Sequence, residues 1–191
     1  NAAAKILIYY HPNSPNSSSQ LDLLKKLSDE ARRENTILLV EPILYGIGEI
    51  NTLSKEEATY QTIKVMTPLV DVLKLEFPLD VYTTKPPEWT RVSKQISELS
   101  TVPWVLLSRG MEYDYYKELT EITSSNGASG IAVGRAVWGE IANISKDYSD
   151  PKTKFAQIEK FLFSTAKDRM NELSSIVDHY ARDWTTYTIT Q

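Results

Sequence analysis

The chain has 191 residues, 41% hydrophobic and 24% charged, the composition of an ordinary globular domain able to bury one sizeable core. A formal net charge of −4, with the basic residues scattered, argues against nucleic acid or an anionic membrane as a partner. With no cysteine and only two histidines, His11 and His179, the chain has no disulfide, no thiolate nucleophile and no means of building a histidine-rich metal centre, so neither a metal nor a cofactor is expected.

Strand-like runs alternate with helical patterns along the chain. "KILIYY" (5–10) reads as a strand, followed by a helix over Ser19 to Asn35 with Leu21, Leu24, Leu27 and Ala31 on one face. "TILLVEPILY" (36–45) is the next strand, expected to fray at Pro42 and Gly46. Ser54 and Glu57 form a capping-box signature for a helix running to Met66, with Pro68 near its end. In "DVLKLEF" (71–77) alternation puts Leu73, Leu75 and Phe77 on an apolar outer face and Val72, Lys74 and Glu76 on the inner one. Pro86 and Pro87 introduce a helix carrying Val92, Ile96 and Leu99. "PWVLLS" (103–108) is the fourth strand, Met111 to Asn126 a helix stopped by Gly127, and "GIAVG" (130–134) the fifth strand. The remainder reads as helical around 154–166 and 168–184, with a break at Asp150–Pro151. His11 falls in a loop, and Trp89, Trp104, Trp138 and Trp184, at element boundaries, are expected to pack between helices and sheet. No apolar run is long enough to span a bilayer and no secretory leader opens the chain, so one cytoplasmic α/β domain over residues 1–191 is expected.

Five strands alternating with helices imply a parallel sheet of right-handed βαβ units. Lys5, Glu41, Lys74, Ser108 and Arg135 recur at ~27 to ~36 residues, one β/α unit per step. That regularity, with no G-x-G-x-x-G after the first strand, suits a (β/α) barrel better than a Rossmann sheet. A complete barrel has eight strands and about 250 residues, so the expectation is a partial barrel or an open α/β sheet.

Polar residues gather where barrel strands approach their carboxyl ends, the end at which this fold builds its sites: Glu41, Lys74, Glu76, Ser108 to Gly110, and Gly134 with Arg135. "LLSRG" and "VGRAVW" each pair small residues, whose backbone N–H groups can approach an oxyanion, with an arginine. A lysine in a dry interior has its charged form disfavoured, so the Lys74 amine is a candidate nucleophile toward a ketone, with Glu41 one strand away to move protons.

"LLVEP", "DVLKLEFP", "PWVLLSRG" and "GASGIAVGRAVW" together resemble the class I aldolases of the tagatose-bisphosphate aldolase family, including its sulfofructose-phosphate branch, from Ala4 to Trp138. The resemblance implies that Lys74 matches the Schiff-base lysine of family strand six, Glu41 the acid/base glutamate of strand five, and Lys5 a site lysine of strand four. It implies that Ser108 and Arg135 help hold the substrate phosphate, beside Gly110 and Gly134, in a metal-free and cofactor-free lyase acting on a small phosphorylated sugar. The first three family strands, and an aspartate on strand one, have no counterpart here. The edges at Lys5–Tyr10 and Ile131–Val133 are then expected to be unpaired, and a homo-oligomer or a complementing N-terminal segment is the expected partner.

Other readings of the same residues stay open at this level. Lys74 fits a structural pair with Glu76, Lys5 a solvent-reaching lysine, Glu41 a strand-end cap, Arg135 a pair with Glu140, and Ser108 a turn serine. Glu41 and Glu76 also fit a glycosidase pair. Arg109 has no assigned role. At the level of function, the alternatives are a non-catalytic phosphate-binding or interaction fragment of the fold, or an aldolase for 6-deoxy-6-sulfofructose 1-phosphate, toward which "PWVLLS" and "GASGI" lean.

Overall fold

A computed structural model describes residues 3–46 and 53–187. The strands form as β1 (Ala3–Tyr10), β2 (Ile37–Leu44), β3 (Val72–Leu75), β4 (Trp104–Leu107) and β5 (Gly130–Ala132), parallel and in sequential order. The helices between and after them are α1 (Ser17–Arg33), α2 (Lys55–Met66), α3 (Pro86–Leu99), α4 (Tyr113–Ser125), α5 (Arg135–Trp138), α6 (Ile141–Asp147), α7 (Pro151–Phe161) and α8 (Lys167–Tyr180). This is the expected α/β fold: five β/α units in consecutive order, part of a (β/α)8 barrel with β1 and β5 at its two edges. None of the described helices is long and apolar enough to cross a membrane.

Strand parity sorts the side chains. Leu38, Val40, Leu73, Leu75, Trp104 and Leu106 are all at most 3% exposed and form the core beneath the helices. Phe77 continues that face at 5%, so the apolar outer wall predicted for the third strand is present. The register sets Lys5 opposite Leu39 and Leu7 opposite Glu41, putting Lys5, Leu7, Glu41 and Lys74 on the other face. That face is open along β1, where Leu7 is 45% and Tyr9 63% exposed. The dry interior expected around Lys74 is therefore corrected: its side chain is 21% exposed, because the face it occupies meets solvent.

Local chemistry explains the element ends. At α2, Ser54 Oγ accepts from the Glu57 N–H at 3.2 Å and Glu57 Oε2 accepts from the Ser54 N–H at 2.9 Å, the predicted capping box. Two prolines open α3, where their missing N–H groups have no intrahelical partner to lose. Asp150, read as a break, caps α7 by accepting from the Thr153 N–H at 2.8 Å. Pro42 lies inside β2, in register with Ile8, rather than at a frayed end. Pairing with β3 has already stopped at Val40–Leu73, so the strand tolerates a residue without an N–H there.

Other expectations need correction. Trp89 and Trp104 are buried as predicted, but Trp138 is 45% and Trp184 55% exposed. Trp138 ends α5 against Gly134 at the mouth of a cavity, and Trp184 sits in a one-turn 3-10 helix after α8. His11 does lie in the turn after β1, yet it is fully buried, its Nδ1 accepting from the Asn13 N–H at 3.1 Å and its ring edge-on to Tyr45.

Candidate active site

Three strand-borne charges meet on the open face. Glu41 Oε2 lies 2.6 Å from Lys5 Nζ and 3.1 Å from Lys74 Nζ, so one carboxylate oxygen serves two ammonium groups from the two flanking strands. Glu41 is nearly buried, Lys74 partly so, and Lys5 is half exposed. Burial pushes the Glu41 carboxyl up, but the hydrogen bonds and charges of Lys5 and Lys74 outweigh it and hold the group below its usual range. Glu41 is thus an ionised acceptor at neutral pH, with a lysine on either side.

Lys74 pairs with Glu41 rather than with Glu76. Glu76, on the same face and only 6% exposed, instead meets Arg109 Nη1 at 2.8 Å and Lys55 Nζ at 3.5 Å. Arg135 does not pair with Glu140, whose carboxylate takes the Arg169 guanidinium at 2.7 Å.

Beside Lys74 a cavity of about 410 Å³ opens, walled by Glu41, Lys74, Ser108, Arg109, Gly110, Gly134 and Arg135 with Trp138 at its side. The two loops that end β4 and β5 therefore converge on the lysine. After β4 the chain turns at Ser108–Met111, closed by a Met111 N–H to Ser108 O bond of 2.9 Å. Gly110 has φ +78, and a β-carbon there would stand 3.3 Å from Arg135 Cζ, so glycine provides both the backbone conformation and room for the guanidinium. After β5, Gly134 precedes α5 and Arg135 opens it, which turns the arginine back toward the Ser108–Met111 turn. Gly134 has φ −147 and ψ −96, neither extended nor helical, and a β-carbon there would make ordinary contact with Trp138 at 3.6 Å.

All seven predicted site residues thus fall in one neighbourhood: Lys5, Glu41 and Lys74 as a charged triad, and Ser108, Gly110, Gly134 and Arg135 lining the cavity that Glu41 and Lys74 also line. Sequence reasoning missed Trp138 as a wall residue and Glu76 with Arg109 as a pair. The signal for the pair was an arginine preceding a turn glycine, with an acid of the right strand parity. Among the described residues no group of three or more His, Cys, Asp and Glu side chains is placed to hold a metal ion.

Chemically, the arrangement offers an amine 3.1 Å from an ionised carboxylate, beside a cavity that two arginines, a serine and two glycines also line. Comparison with known proteins bears on the family and the fold. Residues 1–140 match the DeoC/LacD family of aldolases. A tagatose 1,6-diphosphate aldolase of Listeria monocytogenes is 25% identical over 96% of this chain and 60% of its own length. Tagatose 1,6-diphosphate aldolase 1 of Enterococcus faecalis is 23% identical over 72% of this chain and 49% of its own. The chain spans about 60% of the Listeria relative. Among solved structures, an archaeal fructose-1,6-bisphosphate aldolase, with its catalytic Lys bound to the carbinolamine intermediate of the substrate, superimposes with a TM-score of 0.60. It is 18% identical and covers 92% of this chain and 58% of its own. The fructose-bisphosphate aldolase of Slackia heliotrinireducens gives 0.58 at 15% identity, covering 83% and 53%. At such identities the structures speak to the fold, and the family match, over most of the chain, to descent. The chain belongs to the DeoC/LacD family of aldolases.

Proposed function

We propose that the chain is the carboxyl-terminal part of a class I aldolase that cleaves a ketose bisphosphate, such as tagatose 1,6-bisphosphate, to glycerone phosphate and a three-carbon aldehyde. The observation that carries this reading is the Lys74–Glu41 contact of 3.1 Å beside a cavity walled by Ser108, Gly110 and Arg135.

In this mechanism the neutral Lys74 amine adds to the substrate carbonyl carbon and water leaves, forming an iminium. Glu41 takes the proton that the ammonium must first lose and returns it to the carbinolamine hydroxyl as water departs, so it is a carboxylate again before the cleavage step. The iminium draws in the electron pair of the C3–C4 bond, which breaks to an enamine, while the C4 hydroxyl proton passes to Glu41 and the aldehyde departs. The enamine takes back at C3 the proton held on Glu41, and water hydrolyses the iminium to release glycerone phosphate and the lysine ammonium. Lys5, on the same oxygen of Glu41, keeps that carboxylate ionised until it is needed as a base. Ser108, Gly110, Gly134 and Arg135 hold the phosphate next to the carbonyl, fixing which carbon faces Lys74.

Turnover of tagatose 1,6-bisphosphate tests this. Lys74→Ala is expected to lower cleavage at least ~10⁴-fold with a cooperative melt retained. Cleavage surviving that change would contradict the Schiff-base role. The same assay with 6-deoxy-6-sulfofructose 1-phosphate separates the two sugar classes, since the anion at C1 is shared while the C4 configuration and the group at C6 differ.

The open face favours a second reading. Lys5 is 48% exposed, which suits a fragment that binds phosphate without turning sugar over, or one completed by another chain. Phosphate binding without cleavage, in the chain alone, supports that reading. The partner proposed for the open sheet is a second copy or a complementing N-terminal segment.

A further inference from the structure

The turn between β4 and α4 is built in an unfavourable way for its sequence. Arg109 has φ +47 and Gly110 φ +78, and Met111 N–H closes on Ser108 O, which makes Ser108–Met111 a type I′ turn. Both central positions of such a turn need left-handed backbone, where Asn, Asp and Gly are at ease and a long β-carbon-bearing residue is strained. Arginine stands at the first of them. What holds it follows the end of β3: Nη1 of Arg109 lies 2.8 and 2.9 Å from the two oxygens of Glu76. Glu76 is 6% exposed, and its other cation, Lys55, is farther away at 3.5 Å. Burial opposes charge on Lys55 and holds its amine below the usual lysine range, and Arg109 is the nearer of the two cations. The interaction is therefore mutual: the buried carboxylate needs the guanidinium, and the guanidinium needs a strained turn to reach it.

We propose that Glu76 is a positioning residue for the anion site. By fixing the Arg109 side chain it keeps the Ser108–Met111 turn left-handed, which aims the turn amides and Ser108 at the anion and lays Gly110 flat beneath the Arg135 guanidinium. The inference rests on the reading of Ser108, Gly110 and Arg135 as a phosphate site. It adds that the Arg109 guanidinium serves Glu76 and does not itself grip the ligand, so the arginine that binds the anion is Arg135.

Titration of the full chain with inorganic phosphate, by calorimetry, tests this with four variants. Glu76→Gln and Arg109→Ala are expected to weaken phosphate about tenfold, because each removes the anchor and leaves a β-carbon in left-handed backbone. Arg109→Gly removes the same guanidinium but occupies that backbone freely, so it is expected to bind phosphate at least about fivefold more tightly than Arg109→Ala. The same order is expected in KM for the phosphorylated ketose, with kcat much less affected. Equal weakening by Arg109→Gly and Arg109→Ala would overturn the proposal by making the guanidinium a direct ligand. No weakening by Arg109→Ala would overturn it by making the anchor irrelevant. Should Glu76→Gln fail to fold, the two Arg109 variants decide alone. Arg135→Ala reports separately on the site: if phosphate binding ignores that change, the phosphate reading itself falls, and the positioning role falls with it.

Discussion

Glu41 accepts from Lys5 and Lys74 through a single oxygen, and that sharing governs how the site responds to acid. Its folded pKa lies below the 4.5 of a carboxyl without partners. The ion pairs therefore contribute stability that is fully present above that value and is lost as pH falls through the folded one. Denaturant midpoints measured between about pH 6 and about pH 3.5 should fall less for Glu41→Gln than for the parent. Identical acid dependence would mean that the carboxylate titrates as if unpaired. Across the cavity, Arg135→Ala is expected to raise KM for phosphorylated substrates ~10- to ~100-fold while sparing unphosphorylated analogues, the worth of a charge-assisted hydrogen bond. Equal effects on both would remove Arg135 from the phosphate site. Much of this site was legible in the sequence because strand parity and strand ends put Lys5, Glu41, Lys74, Ser108 and Arg135 in comparable places. The pairing of Lys74 was not. Glu76, two residues on and just past the end of β3, is about 6.6 Å away by strand rise, whereas a neighbouring strand lies only about 4.8 Å off, so the cross-strand acid wins. Arg109 was illegible for a different reason: an arginine before a turn glycine gives no hint that the arginine itself takes left-handed backbone.

Among the elements, those with a chemical signature at their ends were read well. The Ser54–Glu57 box, the double proline before α3 and Gly127 after α4 each mark a helix end that the structure contains. The short α5 and α6 escaped notice, because four and seven residues are too few to establish a helical period. At the end of α4, Ala128 N–H bonds to Thr123 O and Gly127 N–H to Ser124 O, a Schellman cap, with Gly127 at φ +103. A β-carbon on Gly127 would stand 2.5 Å from Ser97 Oγ. That hydroxyl is not free to move, since it donates to Asn126 O at 2.6 Å and accepts from Trp104 Nε1 at 3.0 Å. Gly127→Ala is expected to cost about 2–3 kcal/mol, from left-handed strain and the broken Ser97 bridge together, and to lower Tm by ~5–10 °C. A Tm unchanged by the substitution would show that the cap relaxes without loss.

For the whole molecule, sheet order decides behaviour. β1 and β5 are the two edges, and β1 shows Leu7 and Tyr9 to solvent on the same face as the lysines. Edge strands with exposed apolar faces associate. Multi-angle light scattering on the chain is expected to give a mass above that of one 191-residue copy, or to require an added complementing segment for a single species. A stable lone monomer would contradict both. The β/α period was legible at this scale because every unit repeats one strand–helix alternation, while the openness of the site face was not, since burial of a face depends on what else covers it. The central claim is that the Lys74 amine forms an imine with a ketose phosphate. Borohydride reduction in the presence of glycerone phosphate, followed by intact-mass and peptide mapping, reads that bond directly. A single reduced adduct on the Lys74 peptide, absent from Lys74→Ala, is the predicted result; an unmodified chain, or an adduct elsewhere, contradicts it.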